Sequence, residues 1–140
     1  MHTGFFNDFY ETLSSIPEQR IFLFMTGKRM GKAHPPKVKT LDEKDDMTPL
    51  VELFKEQNLG DLDIKQINSD KKEFLFTLQN SAFETDLHKP SCTVASGLLA
   101  GYIESIYNTY SGAKETKCIS QGDSHCEFEV KVLGDKKLNK

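Results

Sequence analysis

Twice along this chain the spacing of apolar residues changes from every third or fourth position to every second, and each time a turn divides the alternating stretch. Leu62 and Ile64 alternate with charged residues, Asn68-Ser69-Asp70 marks a turn, and Phe74, Phe76 and Leu78 then alternate with Glu73, Leu75, Thr77 and Gln79. Farther on, Cys126, Phe128, Val130 and Val132 fall on one side of an extended segment, with Glu127, Glu129 and Lys131 on the other. Side chains change face at every residue of a strand, so both stretches predict β-hairpins with one buried face and one wet face. The second hairpin is expected over residues 113 to 120 and 125 to 133, turning at Gln121-Gly122-Asp123-Ser124, where Gly122 tolerates a positive φ.

Helical spacing occupies most of the remainder. Phe5, Phe6, Phe9, Tyr10 and Leu13 predict a short helix ending at Ser14-Ser15. Ser15-Ile16-Pro17-Glu18 reads as a capping box for a second helix. The run Ile21-Phe22-Leu23-Phe24-Met25 would also suit a buried strand, but that cap and the continuation to Met30 favour a helix ended by Pro35-Pro36. Thr48-Pro49 opens a third helix with Leu50, Leu53 and Phe54 on one face and a stop at Asn58-Leu59-Gly60. A fourth is expected from Ser91 to Tyr110, with Val94, Leu98, Tyr102 and Ile106 four apart and Gly112 just past its end. Gly97 and Gly101 repeat the spacing of Gly27 and Gly31, which suggests that the two helices approach closely. Residues 36 to 48 carry no apolar period and read as a mobile connector. The predicted architecture is α+β: an antiparallel sheet built from two hairpins and covered by helices, as a single domain over residues 1 to 134 with a solvated tail over 135 to 140.

Composition narrows the function classes. A chain of 140 residues can bury roughly 68–70% of its unfolded surface, so a core without disulfide staples is expected. Its 18 Lys plus Arg against 21 Asp plus Glu, a net charge of −3, give no broad basic surface for nucleic acid. The longest apolar stretch, Thr93 to Ile103, falls short of the ~20 residues of a membrane-spanning helix and includes Ser96, Gly97 and Gly101. The N-terminal residues lack the pattern of a secretory leader. With an odd number of cysteines as well, a reducing cytoplasm is the expected compartment. No phosphate-cradling loop, dinucleotide fingerprint or nucleophile elbow is present, so the sequence offers no enzymatic motif.

The three cysteines carry the remaining information. Cys92 opens the fourth helix, and hairpin pairing brings Cys118 towards Cys126. Converging, the three would fill three positions of a tetrahedral zinc site, leaving Glu115 or His125 for the fourth. From spacing alone, three small buried hydrophobes fit as well. Glu115 also faces an objection: three residues from Cys118, it points to the opposite face of a regular strand, and only a bulge would correct this.

Pro90-Ser91-Cys92, Gly97 through Tyr102, Glu115-Thr116-Lys117-Cys118, and Gln121 through Val130, preceded by Asn80-Ser81-Ala82-Phe83, resemble the 4-vinyl reductase domain family over residues 80 to 132. That resemblance implies a fold similar to TRAPP subunits and to haem nitric-oxide sensor domains, and a structural zinc on a Cys, Glu, Cys, Cys set. Carried onto this chain, the ligands would be Cys92, Glu115, Cys118 and Cys126, with His125 reduced to a neighbour. A four-ligand zinc has no open position for hydrolysis. The phenol-responsive members of the family place a Trp and a His in their pocket, whereas this chain has no Trp, so phenol recognition does not transfer.

The function expected from these readings is a zinc-stabilised sensor module for a small apolar or aromatic ligand, signalling through a protein partner. Phe22, Phe24, Phe74 and Phe76 are candidates to line its pocket, or simply to fill a core. The alternatives are a structural interaction protein resembling the TRAPP subunits and, last, tetrapyrrole vinyl reduction. A homodimer is also expected, from the resemblance and from the excess of large apolar groups at Phe5, Phe6 and Phe9.

Overall fold

The alternating segments pair as two hairpins of one antiparallel sheet. The computed structural model describes residues 4–16, 19–34, 38–83 and 92–137. Helices α1 (Phe5–Ser15), α2 (Gln19–Lys32) and α3 (Thr48–Glu56) precede strands β1 (Asp61–Asn68) and β2 (Glu73–Gln79); α4 (Thr93–Tyr107) separates these from β3 (Thr109–Lys117) and β4 (Cys126–Lys137). The strand order is β1-β2-β4-β3. The hairpins therefore meet along β2 and β4, where Phe76 pairs with Phe128 and Leu78 with Cys126.

One face of the sheet is covered. Leu62, Ile64, Phe74, Phe76, Leu78, Cys126, Phe128 and Val130 are buried there with Leu98, Leu99 and Ile103 of α4. Every residue of α4 from Thr93 to Glu104 is buried, as suits a helix with little polarity on any side. It ends at Tyr107 rather than Tyr110, because Asn108 takes the left-handed conformation and the chain turns at once into β3. Asn58 plays the same part after α3.

The glycines set the contact between α2 and α4. A Cβ on Gly27 or Gly31 would collide with the backbone carbonyl of Val94 or Leu98, and one on Gly97 or Gly101 with that of Phe24 or Lys28. The close helix approach expected from their matching spacing is thus present, and it is reciprocal. Beyond these glycines, α2 buries only Leu23 among its described residues. Charge completes the contact. The buried carboxylate of Glu104 on α4 meets Lys28 Nζ at 2.5 Å and Lys32 Nζ at 2.8 Å, and accepts the Ser111 N–H of β3 at 3.0 Å.

Three expectations need revision. The stretch from 38 to 48 is not a mobile connector: Leu41 and Met47 are fully buried. A 3-10 helix spans Lys44–Met47, with Glu43 and Asp46 forming a reciprocal cap. Two anchoring side chains too far apart for any period explain why the sequence looked featureless. The second hairpin begins at Thr109, four residues earlier than expected, and Thr109 pairs with Lys137, inside the segment expected to be a tail. Ser15 lies within α1, where its hydroxyl donates to the Thr12 carbonyl at 2.7 Å; Pro17, Glu18, Pro35 and Pro36 lie outside the described residues.

Candidate metal centre

Cys92, Glu115, Cys118 and Cys126 converge beneath the end of the second hairpin, their four ligand atoms all within 4.8 Å of one another. Each comes from a different local device. Cys92 is the residue before the first turn of α4. Cys126 begins β4 on the covered face. Cys118 leads into a 3-10 turn, Ile119–Gln121, closed by Gly122 at φ 107°. That turn is tied tightly: the N–H groups of Gln121 and Asp123 donate to the Cys118 carbonyl at 3.0 and 3.1 Å, and the Asp123 carboxylate accepts the Cys118 N–H at 2.9 Å.

Glu115 reaches the cluster through a bulge. It pairs with Phe128, while Lys117 pairs with Glu127, so two steps along β3 match one along β4. The extra residue resets the alternation. Glu115 and Cys118 thereby share the inner face, which answers the objection that strand geometry raised. His125 is elsewhere: its Nδ1 lies 2.9 Å from the Ser124 hydroxyl and its Nε2 3.9 Å from the Glu127 carboxylate.

The sulfur atoms lie 3.2 Å (Cys92 to Cys126), 3.9 Å (Cys92 to Cys118) and 4.0 Å (Cys118 to Cys126) apart. Ligands on a tetrahedral zinc with bonds of about 2.3 Å would be separated by about 3.8 Å. All three thiols are free and buried. Both Glu115 oxygens are buried and neither makes a well-formed hydrogen bond among the described residues, although the Cys92 backbone and the Cys92 and Cys118 thiols lie beside the carboxyl. A buried carboxylate so poorly satisfied is costly unless something positive meets it.

Protonation follows from this crowding. Burial, then the neighbouring Cys118 thiol, pushes the Glu115 carboxyl up to about 8. Hydrogen bonding with Cys118 pushes the Cys126 thiol up to about 12, and bonds with Cys118 and Cys126 followed by burial raise Cys92 well above the usual thiol range. Cys92, Glu115 and Cys126 thus hold their protons more tightly than usual unless a cation displaces them, so the residues fit a metal ion. The Ile119 N–H, 3.4 Å from Cys126 Sγ, points a donor at the sulfur. Sequence reasoning missed two neighbours. Ser81 Oγ lies 3.3 Å from Cys92 Sγ, and Tyr10 sits close enough for Cys92 and Glu115 to raise its hydroxyl's pKa further, behind the larger effect of burial. Ser81 belonged to the resembling segment without a role, and nothing in the period of the first helix set Tyr10 apart from its aromatic neighbours.

The four aromatic candidates do not line one pocket. Phe22 and Phe24 lie two residues apart on a helix, about 200° around its axis, so Phe22 is exposed while Phe24 borders a groove. Phe74 and Phe76 share a strand face and belong to the core, with Phe76 fully buried. The groove beside Phe24, of 380 Å³, runs between α2, α4 and β3, is bordered by Arg20, Ile21, Met25 and Lys114, and has Glu115 in its wall.

Comparison with known proteins places this arrangement. The family model of the 4-vinyl reductase domain matches residues 79–132, the span holding all four ligand candidates. One uncharacterized protein of Methanocaldococcus jannaschii is 34% identical over 88 residues, 63% of this chain and 54% of that protein. Another is 31% identical over 118 residues, 83% and 59% of the two lengths, and a third 31% identical over 128 residues, 84% and 68%. This chain thus spans little more than half the length of the first two. Among solved structures, a vinyl-4-reductase family protein of the same organism matches with TM-score 0.60 and 24% identity, covering 96% of this chain and 98% of that one. The phenol-responsive sensory domain of the transcription activator PoxR, solved with phenol, matches at 0.67 and 16%, covering 94% and 76%. A trafficking protein particle complex subunit 3 from Naegleria fowleri, covalently bound to palmitic acid, matches at 0.62 and 14%, covering 96% and 98%. The fold of this chain is shared with a sensory domain and a trafficking subunit, and by its sequence relatives it belongs to the 4-vinyl reductase domain family.

Proposed function

We propose that this chain is a zinc-stabilised sensor module that binds a small apolar or aromatic molecule and passes its occupancy to a protein partner in a reducing compartment. The observation that carries the zinc is the Cys92, Glu115, Cys118 and Cys126 cluster, with its sulfur spacing and its poorly satisfied buried carboxylate. When bound, zinc would supply a structural cross-link between α4 and the second hairpin. The chain's own residues supply the four ligands. Ligand binding is supported by the groove beside Phe24 and by the likeness of the fold to the phenol-responsive domain of PoxR. The metal centre and the groove share Glu115, so a molecule seated there would lie against the wall that the metal stiffens.

A second reading, an interaction subunit, is favoured by a different observation. Phe5 and Phe9 of α1 and Ile21, Phe22 and Met25 of α2 are exposed apolar groups, more than two short helices need. We assign a self-association face to them, and an isologous dimer would cover it. Among the described residues no helix is long and apolar enough to cross a membrane. Metal analysis of purified protein, followed by ligand-observed NMR with phenols, other aromatics and medium-chain fatty acids, separates the readings. Saturable binding that broadens Phe24 and Lys114 resonances supports the sensor. Zinc without any binder, in a stable dimer, supports the interaction subunit.

A further inference from the structure

Helix α1 meets the rest of the domain through one side. Phe5 and Phe9 are exposed, whereas Tyr10 is 4% exposed. The Tyr10 ring meets Phe83 edge-on with centroids 5.4 Å apart, and Phe6 approaches the same ring at 6.5 Å. The Phe83 N–H donates to Ser81 Oγ at 3.1 Å, and that oxygen lies 3.3 Å from Cys92 Sγ. Ser81 and Cys92 are both fully buried. This line of contacts from α1 therefore ends at Cys92.

The direction of the Ser81 to Cys92 hydrogen bond depends on what Cys92 carries. A thiol can donate to the serine or accept from it. A metal-bound thiolate has no proton, so the Ser81 hydroxyl must donate to sulfur, leaving its lone pairs for the Phe83 N–H. The bond to an ionised acceptor is also the stronger one, and bonds in a chain reinforce each other. The Phe83 N–H can donate to Ser81 Oγ in either state, but a metal fixes the hydroxyl as a donor to sulfur and so makes its oxygen the better acceptor for Phe83, the ring on which Tyr10 rests.

We infer that metal occupancy of the cysteine cluster is transmitted through Ser81 and Phe83 to Tyr10, so that α1 is a latch held against the domain when the metal is bound. This rests on the cluster being a metal centre. Its consequence is that the exposed aromatic side of α1, which carries Phe5 and Phe9, is presented in a fixed orientation only in the loaded protein.

Hydrogen exchange on the full chain, stripped with a chelator and then reloaded with Zn2+, tests the latch. Zinc is expected to slow exchange of the amides in residues 5–15 by about fivefold or more. In Ser81→Ala all four ligands remain, so zinc should still bind at one ion per chain while the response of α1 to zinc falls below about twofold. Tyr10→Leu, on a peripheral helix, should leave α1 unprotected with or without zinc. If the unmutated protein binds zinc but α1 exchanges at the same rate in both states, the latch is overturned and the metal centre stands. A Ser81→Ala response equal to that of the unmutated chain, or an α1 still protected in Tyr10→Leu, also overturns the latch. If no zinc binds at all, the metal centre fails and the latch with it.

Discussion

Gly97 of α4 packs against the Phe24 backbone of α2 so closely that a Cβ at Gly97 would overlap the Phe24 carbonyl oxygen. Alanine in a helix interior ordinarily gains up to about 1 kcal/mol over glycine. Here the collision is with backbone, which cannot rotate aside, and overpacking of this kind costs about 1–3 kcal/mol. Gly97→Ala and Gly27→Ala are therefore expected to lower stability in chemical denaturation. Gly112→Ala is the control. Its Cβ would meet Leu133 Cδ1 at 3.5 Å, an ordinary contact, and it should be neutral or slightly stabilising.

The buried Glu104 carboxylate has unequal partners. The Lys28 side chain is 15% exposed and that of Lys32 is 42% exposed. Glu104→Ala leaves Lys28 without its counter-charge in a largely dry place and is expected to cost about 3–5 kcal/mol. Lys28→Met should cost less than Glu104→Ala, and Lys32→Met, whose ion pair is screened by solvent, less than about 1 kcal/mol. Equal losses for the two lysines in urea titrations would contradict this ranking.

These two contacts show what a single sequence can and cannot reveal. Gly27, Gly31, Gly97 and Gly101 were legible because matching intervals on two helices are a local pattern. The Glu104 pairs were not, because a carboxylate on one helix and lysines some seventy positions earlier look like ordinary surface charges until α2 lies on α4. The cluster of Cys92, Glu115, Cys118 and Cys126 stands between these cases. Its members were legible from cysteine positions and the family resemblance, while the bulge that admits Glu115 depends on how β3 and β4 register. Leu41 and Met47 escaped because two isolated anchors form no period, and Phe22 was misplaced because two residues on a helix were grouped as if on a strand.

At the cluster, Cys118→Ser and Cys126→Ser are expected to lose metal and to loosen the second hairpin. Apparent binding energies at structural zinc sites, about 10–16 kcal/mol in peptides, rival the whole stability of a domain, about 5–15 kcal/mol. Glu115→Gln should weaken binding while keeping near-stoichiometric zinc when the metal is in excess, because three thiolates remain. His125→Ala should change nothing. Elemental analysis of each purified variant reads all four outcomes, and zinc lost in His125→Ala but untouched in Glu115→Gln would reassign the fourth ligand.

The pH dependence of the metal-free protein should carry the sign of Glu115. Its carboxyl titrates near 4.5 ordinarily and near 8 in the fold. Between those values the folded chain holds a proton that the unfolded chain has released, so stability is full below about pH 4.5 and falls as the pH rises towards about 8. Zinc should reverse this slope, since binding displaces protons and strengthens with pH. Urea denaturation at pH 5 and pH 8, with chelator and with zinc, checks both signs, and Glu115→Gln should flatten the metal-free curve.

The exposed apolar groups of α1 and α2 predict association at twice the chain mass of 15.9 kDa. Sedimentation velocity at tens of micromolar reads the mass directly. Phe5→Ser with Phe22→Ser should shift the species to monomer while leaving the far-ultraviolet spectrum intact, because neither side chain belongs to the core.

The bulge at Thr116 makes length, rather than composition, the guarded property of that part of the strand. Glu115 and Cys118 stand three apart in the sequence but only two apart in the pairing, so deleting Thr116 would leave a regular strand with both still on one face, whereas inserting a residue would leave two to be absorbed without partners. Many substitutions at Thr116 and Lys117, both exposed, should be tolerated, and so should the loss of Thr116, whereas a single-residue insertion should not. A stretch permissive to substitution and to losing one residue would thus be intolerant of gaining one, and that asymmetry would mark the site without any metal being measured.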